Sequence, residues 1–320
     1  MDRRRFISGS ALAAAGWLTV RPMQGYGCPS EIPGVAPGNC GLWELFRNPA
    51  SNYRPFVRWW WNGNKVEAGE LTRELRLLKA AGIGGVEINP VAFPSRYKGD
   101  DLDRPSLTWL SDKWIGMLNL VFGEARKLDI TCDLIVGSGW PFGAEDISEN
   151  ERAQVVLTVV KKMTGPAELS IFRDDLFREA GPAVSSPWKG IKYSLLSLIM
   201  VPDPLSSVDD ITDLSEFCTE ETINLSVPSG SYALYAMVHA TGFMEVINGA
   251  PGASGPVLDH YSESAVEGYL NKMSGSIEPV TGPLSGHLRA LFTDSMELEG
   301  SNWTGDMRDE FFRRRGYDIF

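Results

Sequence analysis

The chain has 320 residues, 43% of them hydrophobic and 22% charged, with a formal net charge of -11. That is enough chain for a large core or two domains. The acidic balance argues against a nucleic-acid partner, whose phosphates attract basic surfaces. Ten Trp residues are many for this length. Trp offers a flat apolar face with one polar N–H, which suits the C–H face of a sugar ring. For any single Trp, however, a place in the core is the commoner outcome.

The start Asp2-Arg3-Arg4-Arg5-Phe6 leads into a mild apolar run, Ala11 to Val20. A basic start, a short apolar stretch and small residues read as an export signal over residues 1–25, with paired arginines of the twin-arginine type. The expectation is a bacterial protein exported to the periplasm or beyond. Once the signal is removed, no integral membrane segment remains. Residues 26–50, rich in Gly and Pro, read as a linker or wrapping arm. Cys28 and Cys40 are close enough in sequence for a disulfide after export. Cys132 lies in an apolar run and reads as a buried free thiol.

From residue 51 a strand and helix alternation begins. Phe56–Trp61 reads as a strand. Glu67–Ala81 has helical spacing, with Leu71, Leu75 and Leu78 on one face and Gly82 as a stop. Gly85–Ile88 is a short buried strand. Asp112–Leu128 is a second helix, with Ser111 as N-cap, and Ile130–Val136 is a third strand. This order predicts parallel strands covered by helices.

The rhythm changes over residues 151–230. Short β-rich runs such as Val155–Val160, Leu195–Val201 and Ile223–Val227 are broken by Pro, Gly, Asp and Ser, and predict an inserted β-rich subdomain packed as a small sandwich. Tyr232–Val238 is a further strand, of the insert or of the returning α/β pattern. Ser262–Met273 reads as a helix, Leu288–Thr293 as a buried strand and Asp306–Arg315 as a helix start. The fold class expected is α/β: a (β/α)8 barrel-type module of which residues 51–150 and 231–320 supply about half, truncated at the end.

In such folds functional groups sit at the carboxyl ends of strands. Four polar clusters fall there: Trp59-Trp60-Trp61-Asn62-Gly63-Asn64, Glu87-Ile88-Asn89-Pro90, Gly137-Ser138-Gly139-Trp140-Pro141-Phe142-Gly143 with Glu145 after it, and Asp294-Ser295-Met296-Glu297 followed by Asn302-Trp303. Trp, Asn and carboxylates on one face are what sugar binding with acid–base cleavage needs. Trp60, Trp61, Asn62, Asn64, Glu87, Asn89, Trp140, Asp294 and Trp303 are therefore the candidate substrate-binding residues. Glu297, after an apolar strand and among polar residues, is the candidate catalytic acid. Glu87 and Glu145 are weaker candidates, and an exposed or structural role is as common for each. His239, His260 and His287 lack metal spacing. Asp259-His260 reads as a capping Asp and a packed His.

These segments resemble glycoside hydrolase family 106, the alpha-L-rhamnosidases. The carriers are Arg54-Pro-Phe-Val-Arg-Trp-Trp-Trp-Asn-Gly-Asn64, Ala81 to Asn89, Gly137 to Gly143, Asp294 to Glu297 leading to Asn302-Trp-Thr304, and Arg314 to Asp318. The resemblance implies an inverting glycosidase removing terminal L-rhamnose from plant-type glycans, a barrel with appended β domains, and a Ca2+ ion. It also implies Glu297 as the acid, with the general base on a later strand outside this sequence. Two other readings stay open. One is a non-catalytic carbohydrate-binding remnant. The other is a retaining glycosidase with Glu87 or Glu145 about 5–5.5 Å from Glu297.

Overall fold

The computed structural model describes residues 42–92, 104–181 and 190–320. The expected export signal and the Cys28–Cys40 pair lie outside the described residues. Of the arm, the described part contains a short helix α1 (Leu42–Arg47) and a 3-10 turn at Ser51–Tyr53. Arg54–Phe320 form a compact unit of their own.

Its first layer is a parallel sheet. β1 (Phe56–Asn62), β2 (Gly85–Val91), β3 (Thr131–Ile135) and β8 (Leu288–Phe292) pair side by side in that order, all parallel. The crossover helices are α2 (Ala68–Ala80) and α3 (Asp112–Leu128). Ser111 caps α3 as expected, its hydroxyl accepting from the Trp114 N–H. Gly82 ends α2 at φ +86°, a conformation open to Gly at no steric cost. The link from β3 to β8 carries the whole inserted layer and then α5 (Glu263–Thr281). A further helix, α6 (Met307–Arg315), follows β8. Among the described residues the parallel sheet is open and four strands wide, not a closed barrel.

Strand side chains alternate between faces. On one face Trp59, Trp61, Val86, Ile88, Cys132 and Leu134 pack against Leu71 and Leu75 of α2, Trp114, Leu118 and Phe122 of α3, and Tyr269 and Met273 of α5. Each fully buried Leu or Ile here contributes roughly 1.5–3 kcal/mol. The Cys132 thiol is buried and free, and burial pushes it up to about 12. The other face carries Arg58, Glu87 and Asp133 in one row across three strands. Asp133, 4% exposed, is ion-paired to Arg289, whose guanidinium also lies 3.9 Å over the Phe56 ring.

The inserted layer is one antiparallel sheet in the order β4-β7-β5-β6, with β4 (Gln154–Phe172), β5 (Lys192–Pro202), β6 (Thr212–Asp213) and β7 (Thr222–Thr241). This corrects the expected sandwich. β4 and β7 pair along almost their whole length, with an irregularity at Gly165/Ala167, so the short β runs of the sequence are halves of long strands. Both halves and α4 (Arg173–Ala180) share one apolar cluster around Leu176, Leu198, Ile223 and Leu234. The sheet also extends past the expected boundary at 230, because β7 continues to Thr241 and pairs there with both β4 and β5.

Candidate functional site

Residues of three of the four clusters meet around Arg58. Arg58, on the open face of β1, donates from Nε to Glu87 Oε2 at 3.0 Å and from a terminal nitrogen to Asp294 Oδ2 at 2.7 Å. The guanidinium also lies 5.7 Å from the Trp60 ring and 5.0 Å from Phe292, distances at which a cation gains from an aromatic face. Asn89 Nδ2 reaches the same Asp294 oxygen at 3.4 Å, and the Ser295 N–H donates to the other oxygen at 2.9 Å. Asn89 is fully buried, and among the described residues its Oδ1 has no hydrogen-bond partner. Arg58 was not singled out from the sequence. The signal available was strand alternation, which puts it on the face of Trp60 and Asn62.

The same alternation separates the candidate residues of β1. Trp60 is 42% exposed and Asn62 is exposed, both on the open face. Trp61 points the other way. It is 1% exposed, with Trp59 and Trp114 edge-on at 5.8 and 6.1 Å, so it is a core residue. Asn64 is buried at φ +50°, its amide donating to the Leu107 carbonyl at 2.6 Å, and it shapes a turn. Trp303 is buried, stacked on Phe320 at 5.4 Å and bridged to Gln154. These three aromatics and amides are held by packing, away from an open binding face.

The Gly137–Gly143 cluster is also mainly a bracket. The Ser138 hydroxyl donates to the Pro90 carbonyl at 2.7 Å and accepts from the Ala250 N–H at 3.0 Å, fully buried. Gly139 sits at φ +77°, where a Cβ would come 2.3 Å from the Ile247 carbonyl oxygen. Trp140 is half-buried and bridges Ile247. Glu145 accepts from the Gly252 N–H at 2.9 Å and the Ser254 hydroxyl at 2.8 Å, so it ties down the 250–254 loop.

Glu297 is exposed on the segment after β8 and, among the described residues, makes no side-chain hydrogen bond. Both ends of its segment are anchored. Asp294 holds one end through Arg58 and Asn89. At the other, Asn302 accepts from the Val156 N–H at 2.8 Å and donates to the Val156 carbonyl at 3.1 Å. The Ser301 hydroxyl and the Asn302 and Trp303 amides all donate to the Gln154 carbonyl. The Gln154 side chain donates to Asp259 at 3.2 Å and meets His239 at 2.9 Å. Burial holds Asp259 above the usual carboxylate range, opposed by hydrogen bonds from Thr304 and the Tyr261 backbone. Asp259 therefore organises a loop and His260 packs edge-on against Phe142 at 4.3 Å, with burial pushing that imidazole down to about 4.

Among the described residues no group of three or more His, Cys, Asp or Glu converges as a metal cradle. The Arg58 guanidinium already spans the Glu87 and Asp294 carboxylates. A cavity of about 320 Å³ lies at the other end of the sheet, near the amino ends of β3 and β8, lined by Phe122, Arg126, His287 and Arg289. Among the described residues no helix is long and apolar enough to cross a membrane.

Comparison with known proteins gives three findings. The alpha-L-rhamnosidase family model matches residues 175–320. A protein of Formosa agariphila described as a putative beta-glucuronidase is 23% identical over 305 residues, which cover 86% of this chain and 25% of that protein. The solved structure of a rhamnosidase from Novosphingobium sp. PP1Y aligns with a TM-score of 0.64 at 15% identity, over 86% of this chain and 41% of that one. The chain thus spans a quarter of the length of the curated relative and about two fifths of the solved rhamnosidase. The stretch with the rhamnosidase family match, residues 175–320, is the one that holds Asp294 and Glu297, and it lies on a fold similar to that of a solved rhamnosidase.

Proposed function

We propose that this chain carries the strand-end face of a glycoside hydrolase acting on alpha-L-rhamnosides of plant-type glycans. One observation supports the reading above the others. Asp294, just past the end of β8, meets Asn89 of β2 directly and Glu87 through Arg58, beside the exposed ring of Trp60, on a chain with the family match. Trp60 would take the apolar face of a pyranose, and the carboxylates would accept from its hydroxyls. Glu297, two residues past Ser295 on a segment pinned at both ends, is the proposed acid that protonates the leaving oxygen. The sheet is read as part of a (β/α)8 barrel, and the basic, apolar start as an export signal to the periplasm or beyond. Inversion would need a second carboxylate about 6.5–9.5 Å from the acid, with water between. Glu87 and Asp294 are both engaged by Arg58, so neither is free for that role.

The test is release of L-rhamnose from an aryl alpha-L-rhamnoside. Glu297→Gln should lower turnover by about 10²–10⁴-fold, the usual worth of a positioned acid. The first-formed sugar, followed by NMR, should be the β anomer. A preparation that cleaves other glycosides and spares rhamnosides sinks the reading. The engagement of both carboxylates by Arg58 favours a second reading, sugar binding without cleavage. Rhamnoside binding that is unchanged in Glu297→Gln, with no turnover in either protein, would select it.

A further inference from the structure

Among the described residues, the cations on the open face of the sheet are already paired: Arg289 to Asp133, and Arg58 to two carboxylates. Arg58 is held through Nε by Glu87 and through a terminal nitrogen by Asp294. Its faces meet Trp60 and Phe292. Four contacts from three strands and the segment after β8 thus fix a side chain that is one-third exposed. A planar guanidinium held in this way loses little more freedom when a ligand arrives, but it also has no uncompensated charge to offer. The formal charge of Arg58, Glu87 and Asp294 together is -1. The nearby segment adds Glu297 and Glu299, both exposed.

A sugar carboxylate entering here would meet net negative charge and a guanidinium with two anionic partners. Binding it would mean displacing one of them, which leaves a partly buried carboxylate unpaired. Neutral hydroxyls face no such cost, since ionised carboxylates accept hydrogen bonds from them. We propose that Arg58 is a specificity-determining residue, locked by Glu87 and Asp294 so that the site takes neutral glycosyl groups and rejects uronates. The inference rests on the sugar-site reading above and adds to it a residue and a charge rule. It also separates this chain from what the name of its Formosa agariphila relative indicates for that protein.

The experiment is a ligand-observed NMR titration with methyl alpha-L-rhamnoside and methyl beta-D-glucuronide. The wild-type chain should bind the rhamnoside and bind the glucuronide at least about tenfold more weakly. Asp294→Asn keeps the shape and releases one side of Arg58. It should gain glucuronide affinity by roughly tenfold, the worth of one charge-assisted hydrogen bond. Arg58→Gln added to Asp294→Asn should abolish that gain. If Asp294→Asn does not fold by circular dichroism, Glu87→Gln releases the other side of the same guanidinium and carries the same expectation. Equal binding of both glycosides by wild type overturns the proposal and leaves the sugar site standing. So does a released Arg58 that gains no glucuronide affinity. A wild-type chain that binds neither glycoside overturns the sugar-site reading, and the proposal with it.

Discussion

The two faces of the parallel sheet are built on opposite principles from the same strands. Toward the helices, Trp59, Trp61, Val86, Ile88, Cys132 and Leu134 are buried among apolar neighbours. On the other face, one residue along in each strand, stand Arg58, Glu87 and Asp133, each in an ion pair, with the Trp60 ring beside Arg58. The helix-covered face supplies stability through apolar area removed from water. The open face supplies little, because partly exposed ion pairs gain modestly and are screened by salt. It supplies instead a fixed array of donors and acceptors. A strand that must do both jobs has to alternate, and Phe56–Asn62 does so residue by residue.

The sharpest way to break this contrast is on the covered face. Trp114 is fully buried against Trp61. Trp114→Ala should cost about 3–5 kcal/mol in denaturant unfolding. A loss below 1 kcal/mol would mean that the covered face is not the core. Next in size is a pH effect at Phe142, a member of the same apolar cluster, against which His260 packs. Burial brings the folded-state pKa of His260 down to about 4 from the ordinary 6.5, so the unfolded chain takes up the proton first as pH falls. Its contribution is complete above pH 6.5 and is lost between 6.5 and about 4, by up to roughly 3 kcal/mol. Unfolding midpoints across that range should flatten in His260→Leu; unchanged slopes in the variant would refute this.

On the open face the effects should be smaller. Arg289→Met leaves Asp133 buried without its partner. Since Arg289 itself is about half exposed, water offsets part of the loss, and about 1–2 kcal/mol is expected by denaturation. A loss as large as that of Trp114→Ala would erase the distinction between the faces. Smallest is Asn302→Ala, which removes two hydrogen bonds to Val156. About 1 kcal/mol should be lost, together with faster amide exchange at Val156. Unchanged exchange there would show that the clamp is not formed.

Local signals carried the parts of the fold that are local. The helix over Asp112–Leu128 and its Ser111 cap are read from spacing and a single hydroxyl, and both stand in the structure. The long strands were not legible in this way. The polar and Gly-rich interruptions within β4 and β7 look like strand ends in sequence, yet the two strands pair across Gly165 and Gly230. The site divides similarly. The sequence groups Glu87 with Asn89, and Asp294 with Glu297, by neighbourhood. Nothing local says that Arg58 joins Glu87 to Asp294, which lies 236 positions away. Nor does the run Trp59-Trp60-Trp61 say which ring faces water, until the strand is given a buried side.

The Asn302 contact has a consequence beyond holding the acidic segment. Among the described residues β4 is the outermost strand of its sheet, its one strand partner being β7. An unpaired strand edge is a template on which another chain can add itself. Asn302 presents one carbonyl and one amide to the Val156 backbone, as an adjoining strand would, and the Gln154 carbonyl takes three more donors from residues 301–303. The segment that carries the candidate acid therefore also acts as a stopper, guarding this end of an exposed sheet edge against association with other chains.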